Sequence, residues 1–246
     1  GNPLASPDII GVTSGASTVA VFCILILHWS GNAVSIGAIL GGMLVAFLIY
    51  RLSQGIGSNN GRMILIGLGF QAFLQAVISY IILRAAQYDV ANALRWLSGS
   101  LNNVTIEEAV RIVIVVIFMG SSLVYLSRRL MLLQLGEDFA TTLGLNIQRT
   151  KLLLIVNAII LSAVATSISG PIAAVSFLSG PIITRICKGN QANMLQAGLM
   201  GAILVLAGDL VAQNLLPARY PVGIITGILG APYLLLMLFR MNHKGG

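Results

Sequence analysis

Few side chains in this sequence could do chemistry, and the most unusual of them is Asp209. The chain has 246 residues, of which 57% are hydrophobic and 9% charged. Asp209 lies in an apolar run, and a carboxylate at a membrane-helix centre costs about 2.5–3.5 kcal/mol to insert. Its position toward the outer end of the run lowers that cost. Two roles fit: a structural, hydrogen-bonded group, or a proton or ion site.

A second candidate set is a polar stripe formed by Gln71, Gln75 and Ser79 within another apolar run. Residues four apart lie on the same face of a helix. Amide groups are costly in hydrocarbon unless they face protein or water. The stripe therefore predicts either hydrogen bonds to a neighbouring helix or a wet surface that lines a pathway.

Familiar catalytic motifs are absent from the sequence. It contains no GxxxxGK[ST] phosphate loop, no HExxH and no GxSxG. His28 and His243 are too isolated to form a metal pair, and Cys23 and Cys187 form no CxxC. We therefore expect a protein that is not an enzyme and that holds no metal or cofactor of its own.

The composition indicates an integral membrane protein, since soluble domains carry about 25% charged residues. Cationic cytoplasmic loops explain the net charge of +7 more simply than nucleic-acid binding, which we do not expect. The hydropathy pattern predicts an all-α, polytopic fold with about eight transmembrane helices in a lipid bilayer. The predicted spans are about 12–29, 33–50, 63–83, 109–126, 152–168, 172–186, 194–216 and 222–239.

Two of these spans carry features with more than one interpretation. Gly37 and Gly41 in the second span favour close helix packing, either inside one subunit or at a dimer seam. In the sixth span Gly180 and Pro181 interrupt the apolar run. Such a break is stable only where protein or a watery cavity satisfies the freed backbone groups, and it is typical of transport sites.

The most polar passage of the chain, Leu135 to Arg149, separates the fourth and fifth spans. It predicts one or two short amphipathic helices with a break near Gly144 at the membrane–water interface. Cations flank it, which predicts a cytoplasmic location. Such an element can dock another protein or rest on lipid headgroups.

The positive-inside rule supports the same orientation. With this passage inside, ten of the fourteen lysines and arginines fall in the cytoplasm and four outside. The inner set is Arg51, Arg62, Arg128, Arg129, Arg149, Lys151, Arg185, Lys188, Arg240 and Lys244. The outer set is Arg84, Arg95, Arg111 and Arg219.

Spaced motifs along nearly the whole chain resemble those of one transporter family. They are NPLASPDIIGVTSGAS from Asn2, WLSGSL at 96–101, LGED at 135–138 followed by Ala140 and LG at 143–144, GPIA at 170–173, AGD at 207–209, PVG at 221–223 and GAPY at 230–233. Together they are similar to permeases of the iron-siderophore and cobalamin class of ABC importers. Two positions depart from the family pattern. Ala174 stands where the family commonly has phenylalanine, and Gly180-Pro181-Ile182 replaces a proline–histidine pair.

The resemblance implies a ten-helix permease of the bacterial cytoplasmic membrane, of which residues 1–246 form a single, N-terminally incomplete domain comprising helices three to ten. It implies a second permease subunit, identical or not, two cytoplasmic ATPase subunits that bind ATP and Mg, and an extracytoplasmic substrate-binding protein. The expected cargo is a ferric siderophore, with cobalamin or haem as alternatives. A self-powered secondary transporter using Asp209 is the competing class.

The resemblance also implies roles for individual residues. The ATPase-coupling segment, 135–149, includes Leu135, Gly136, Glu137, Asp138, Ala140, Leu143 and Gly144. The cytoplasmic gate includes Asn2, Leu4, Gly57, Ser58 and Asn59. Gln71, Gln75 and Ser79 line the pathway. Arg84, Arg95 and Arg219 are candidates for docking the binding protein.

Overall fold

A computed structural model describes residues 11–53, 60–102, 104–187, 194–215 and 217–242, and within these ranges all regular structure is helical. The helices, in chain order, are α1 (Val12–Leu25), α2 (Asn32–Ser53), α3 (Asn60–Arg84), α4 (Gln87–Leu97), α5 (Ile106–Gln134), α6 (Glu137–Thr142), α7 (Ile147–Ser169), α8 (Val175–Ile186), α9 (Met194–Asn214) and α10 (Val222–Asn242).

The helices confirm the predicted membrane architecture. Five of them, α2, α3, α5, α7 and α9, are long and apolar enough to cross a bilayer. Three shorter apolar helical segments, Val12–Leu25, Val175–Ile186 and Val222–Tyr233, account for the other predicted spans. The remaining helices are too short to span: α4 lies between α3 and α5, and α6 lies between α5 and α7.

The chain divides into two compact units. The described residues of the first unit lie within Pro7–Ala93 and Thr105–Ile168, and those of the second within Leu94–Val104 and Ser169–Gly246. The first unit therefore contains α1, α2, α3, α5, α6 and nearly all of α7. The second contains α8, α9 and α10 together with the end of α4.

In the first unit, α1 and α2 cross at a contact that only small residues allow. A Cβ atom built on Gly15 would lie 2.6 Å from the carbonyl oxygen of Gly41, and one on Gly41 would lie 2.8 Å from the carbonyl oxygen of Gly15. A Cβ on Gly37 would lie 3.0 Å from the Cys23 sulfur. Gly37 and Gly41 thus pack inside this chain, which decides between the two interpretations of that pair.

Two buried clusters hold the other helices of this unit. Val12, Ala46, Ile159 and Ala163 bring α1, α2 and α7 together, and Val45, Ile49 and Leu74 join α2 to α3. By contrast, Leu126 is the one described side chain of α5 that is fully buried. Its other described side chains are half-buried or exposed, and the exposed ones are available to lipid or to another subunit.

The second unit is a bundle of three helices packed through small residues. A Cβ on Gly208 of α9 would lie 3.1 Å from the Thr226 methyl group of α10. Gly230 of α10 lies so close to Ala174 that an added Cβ would overlap the alanine's own. The small side chain at 174, where the family commonly has phenylalanine, thus matches a glycine on its neighbour.

The expected interruption at Gly180 and Pro181 is wrong. Helix α8 runs through both residues without a break. Proline removes one backbone donor, and a single missing hydrogen bond does not end this helix. The break lies earlier, between Gly170 (φ 69°) and Ala174 (φ 67°), so α8 begins at Val175 rather than near 172.

Other predicted boundaries also shift. Helix α1 ends at Leu25, not near Trp29, because His28 adopts a left-handed conformation (φ 52°) and the Trp29 amide bonds back to the Cys23 carbonyl at 2.9 Å. Helices α5 and α7 extend beyond the apolar runs. Arg128, Arg129 and Arg149 consequently lie on helices and not in the connecting loop.

Candidate functional site

The predicted coupling segment begins with a sharp turn between α5 and α6. Leu135 ends α5, with its amide directed at the carbonyls of Leu132 and Leu133. Gly136 follows at φ 115° and ψ 150°, a conformation that side chains disfavour. The Ala140 amide donates to the Gly136 carbonyl at 3.0 Å, so the new helix starts immediately after this glycine.

Helix α6 is closed by a Schellman motif. The Leu145 amide donates to the Ala140 carbonyl at 3.0 Å and the Gly144 amide to the Thr141 carbonyl at 2.9 Å, with Gly144 at φ 79°. This pair of bonds is the usual way in which a left-handed glycine ends a helix. The predicted break near Gly144 is confirmed, and one short helix, rather than two, lies in the segment.

The next helix begins immediately afterwards through an asparagine cap. The Asn146 side-chain oxygen accepts the Arg149 amide at 3.0 Å, and the Thr150 hydroxyl donates to the Asn146 carbonyl at 2.9 Å. Asparagine is among the best N-cap residues because it satisfies a free amide of the first turn. Only three residues, Leu143 to Leu145, therefore separate α6 from the cap of α7, which makes the link short and ordered.

The coupling segment exposes three large apolar side chains. Leu135, Phe139 and Leu143 are 63%, 61% and 57% exposed. Their spacing of four residues places Phe139 and Leu143 on one face of α6. Ala140, in contrast, is fully buried and packs α6 onto the chain. Neighbouring apolar side chains exposed together on a short helix outside the spans typically mark a protein contact or the edge of a lipid layer.

The predicted cytoplasmic gate and two side chains of the coupling segment lie outside the part of the chain that the structure describes. Asn2, Leu4, Gly57, Ser58 and Asn59 lie outside the described residues. The backbone of Glu137 and Asp138 forms the first turn of α6, and their side chains lie outside the described part of the chain.

The polar stripe on α3 faces away from the rest of the chain. Gln71, Gln75 and Ser79 are exposed, whereas Leu74 and Ile78 on the other face are buried at 9% and 3% exposure. The Ser79 hydroxyl donates to the carbonyl of Gln75 on its own helix at 2.9 Å. Among the described residues neither amide group bonds to another helix, which leaves the stripe open to water or to a further protein surface.

Asp209 has a local hydrogen-bond partner. It is half-buried on α9, one turn before the helix ends, and its carboxylate accepts a hydrogen bond of 2.7 Å from the Gln213 side chain. Within the described part of the chain no lysine, arginine or histidine lies within ion-pair distance of it. The geometry agrees with the structural role.

The three arginines considered for binding-protein docking are all exposed. The Arg84 guanidinium lies over the Tyr80 ring, 5.4 Å from its centre. Arg95 lies on the last turns of α4, and Arg219 lies in the connection between α9 and α10. Their solvent access allows docking, but no contact in this chain selects them for it.

Sequence reasoning missed one polar side chain in the membrane, Asn157. It is 5% exposed at the middle of α7, and its amide donates to the Leu153 carbonyl at 2.8 Å. Its side-chain oxygen is buried without a partner among the described residues. The sequence does show an isolated amide at the centre of an apolar run. Such an amide needs a protein or water partner, as was argued for Gln71. The described residues contain no group of three His, Cys, Asp or Glu side chains.

The model of the FecCD transport family matches residues 1–240. The chain belongs to the FecCD transport family. It is 34% identical to the ferric enterobactin transport system permease protein FepG of Escherichia coli, over 99% of this chain and 74% of that protein. It is 30% identical to the probable siderophore transport system permease protein YfhA of Bacillus subtilis, over 99% of this chain and 74% of that protein.

A solved structure supports the same assignment for the fold. The FecCD chain superposes on a metal-chelate type ABC transporter in an inward-facing conformation with a TM-score of 0.86 at 29% identity, covering 97% of this chain and 78% of that one. Together with the apolar spans, these matches identify a multi-pass permease of the cytoplasmic membrane. The resemblance that the sequence motifs indicated is confirmed.

Proposed function

We propose that this FecCD chain is the permease subunit of an ATP-driven importer that moves a ferric siderophore into the cytoplasm. In this proposal it works beside a second permease subunit, two ATPase subunits and an extracytoplasmic binding protein. It binds no nucleotide itself, since the sequence has no phosphate loop. The ATP and Mg belong to the ATPase. Energy must therefore enter through a contact between proteins.

The exposed apolar face of α6 carries the proposal. Phe139 and Leu143 lie outside the membrane spans, on a helix anchored to the chain by Ala140. A cleft in the ATPase that accepts them would bury apolar surface, which stabilises interfaces most where aromatic anchors fill pockets. The Schellman turn and the Asn146 cap join α6 to α7 through a short ordered link. A movement of the ATPase can thus reach a membrane helix directly.

The polar stripe on α3 supplies a surface for the cargo. Gln71 and Gln75 face outward from this chain, and in a dimer of permeases such a face can border a central, water-filled cavity. Few groups here could strip iron from its chelator, because the described residues contain no metal-binding cluster. We therefore propose that the chelate moves intact. The names of the two relatives described above support a siderophore as cargo, with haem and cobalamin as the alternatives to test.

Replacement of Phe139 by alanine tests the coupling role. We expect the affinity of the purified permease for its ATPase to fall about 30-fold, the loss typical of a buried aromatic anchor of about 2 kcal/mol. The measurement is ATPase binding to the permease in nanodiscs.

Phe118→Ala is the matched control, because Phe118 is 68% exposed within the α5 span and should contact lipid or the second permease subunit, not the ATPase. It should leave the ATPase affinity unchanged. Equal affinity of Phe139→Ala and the unaltered protein would contradict docking through α6.

A further inference from the structure

Three glycines of the second unit meet at a point where the backbone itself forms the contact. Gly99 follows α4, Gly170 precedes α8 and Gly223 lies in the first turn of α10. All three are buried. We refer to these glycines and the backbone that surrounds them, 96–100 and 169–171, as the glycine joint. It combines three sequence motifs, WLSGSL, GPIA and PVG, that lie far apart in the chain.

Two backbone hydrogen bonds hold the glycine joint. The Ser100 amide donates to the Ser169 carbonyl at 2.7 Å, and the Gly223 amide donates to the Gly99 carbonyl at 3.1 Å. The first bond ties the segment after α4 to the segment before α8. The second ties it to the start of α10, where the first amides of a helix have no partner within the helix.

No side chain fits at any of the three positions. A Cβ atom would overlap the Pro171 carbonyl oxygen from Gly99, the Trp96 carbonyl oxygen from Gly170 and the Ser98 carbonyl oxygen from Gly223. These obstacles are backbone atoms, which cannot rotate away as a side chain can. Gly99 and Gly170 also have φ near +68°, at 67° and 69°, a region that favours glycine.

We infer that the glycine joint keeps the end of α4 and the starts of α8 and α10 together as one rigid piece throughout the transport cycle. Opening it would break two backbone hydrogen bonds. The far end of α8, in contrast, meets α10 through a side-chain contact, in which the Arg185 guanidinium lies 6.0 Å from the centre of the Tyr233 ring. Changes in access to the pathway that involve these helices therefore arise away from the joint. This inference rests on the proposed function, because its readout is transport.

Gly223 allows the cleanest substitution. Its φ is not in the left-handed region, and alanine is favoured over glycine inside a helix, so Gly223→Ala tests the close contact alone. Gly198→Ala on α9 is the matched control, because a Cβ there meets no atom within 4 Å. Both variants are reconstituted in proteoliposomes as the complete complex with ATPase and binding protein.

We expect Gly223→Ala to assemble and hydrolyse ATP while uptake falls by about tenfold or more, because the helices no longer move together. If Gly223 served only folding, Gly223→Ala would lower the amount of assembled complex, and uptake per complex would stay unchanged. Gly198→Ala should transport like the unaltered protein. Uptake per complex of Gly223→Ala within about twofold of the unaltered protein would overturn the inference.

Hydrogen exchange of the unaltered chain keeps the inference testable if Gly223→Ala fails to fold. The amides of Ser100 and Gly223 should exchange slowly, and at the same rate in the nucleotide-free and the ATP-trapped complex. Exchange at either amide that is more than about tenfold faster in one state would overturn the rigid joint. If the unaltered complex shows no uptake, the proposed function fails, and slow exchange in the purified chain still tests the joint.

Discussion

At the scale of single residues, Gln75 tests whether the stripe on α3 faces water. Its side chain is exposed and lacks a partner helix within the described residues. We predict that Gln75→Cys reacts with a water-soluble, membrane-impermeant thiol reagent. Cys187 is itself exposed, so the experiment needs a Cys187→Ser background.

Phe73→Cys provides the comparison, because Phe73 is 63% exposed on a different face of α3 and should contact lipid. Cysteine in hydrocarbon reacts slowly, since the reagent needs the thiolate and water. Equal labelling of the two cysteines would show that the stripe does not line an aqueous pathway.

Asp209 separates the two transporter classes. Asparagine at 209 keeps an oxygen that can accept the 2.7 Å hydrogen bond from Gln213 but cannot take up or release a proton. We predict that Asp209→Asn retains uptake within about twofold, as expected for a structural hydrogen bond. Initial uptake rates measured at several pH values check this. Complete loss of uptake in Asp209→Asn would favour a proton or ion site.

At the scale of elements, the crossing of α1 and α2 depends on Gly41. An added Cβ would lie 2.8 Å from the Gly15 carbonyl oxygen and overlap Val19. We predict that Gly41→Ala lowers the free energy of unfolding by about 1–3 kcal/mol, the usual cost of overpacking. Denaturant unfolding in detergent micelles measures it.

Gly69→Ala on α3 should have the opposite effect. A Cβ at Gly69 meets no atom within 4 Å, so only the better helix propensity of alanine remains. We expect a gain of about 0.5–1 kcal/mol. A comparable loss of stability in both variants would mean that the crossing is not the cause.

The elements also show where sequence reasoning succeeds and where it stops. Spans are predictable because hydropathy is a local property, and the break at Gly144 is predictable because glycine there ends a helix. The continuity of α8 through Pro181 was not predictable, since the true break at 170–174 depends on backbone bonds to residues near 99. Helix α1 likewise ends early because of the turn at His28.

At the scale of the site, residue types were easier to predict than their orientation. The amides of α3 were recognisable from their spacing, yet only the burial of Leu74 and Ile78 shows that the stripe faces away from the chain. Likewise, the acids Glu137 and Asp138 make the coupling segment recognisable as a polar passage in the sequence. Only the structure shows that Ala140 is the buried residue of α6 and that Phe139 and Leu143 are exposed.

At the scale of the whole molecule, the chain is a membrane permease whose sequence contains no phosphate loop. Both the FecCD family match and the fold support the assignment as a permease. The central claim is that movement of the cargo depends on ATP hydrolysis by another subunit that contacts α6. The alternative is a transporter driven by an ion gradient, in which the ATPase is dispensable.

The most direct test is uptake of a ferric siderophore into proteoliposomes that contain the full-length permease complex and its binding protein. The same preparation is measured with the active ATPase, with an ATPase variant that binds but does not hydrolyse ATP, and with no ATPase. We predict uptake only with the active enzyme. Uptake that continues without the ATPase, driven by an imposed proton or sodium gradient, would contradict the account.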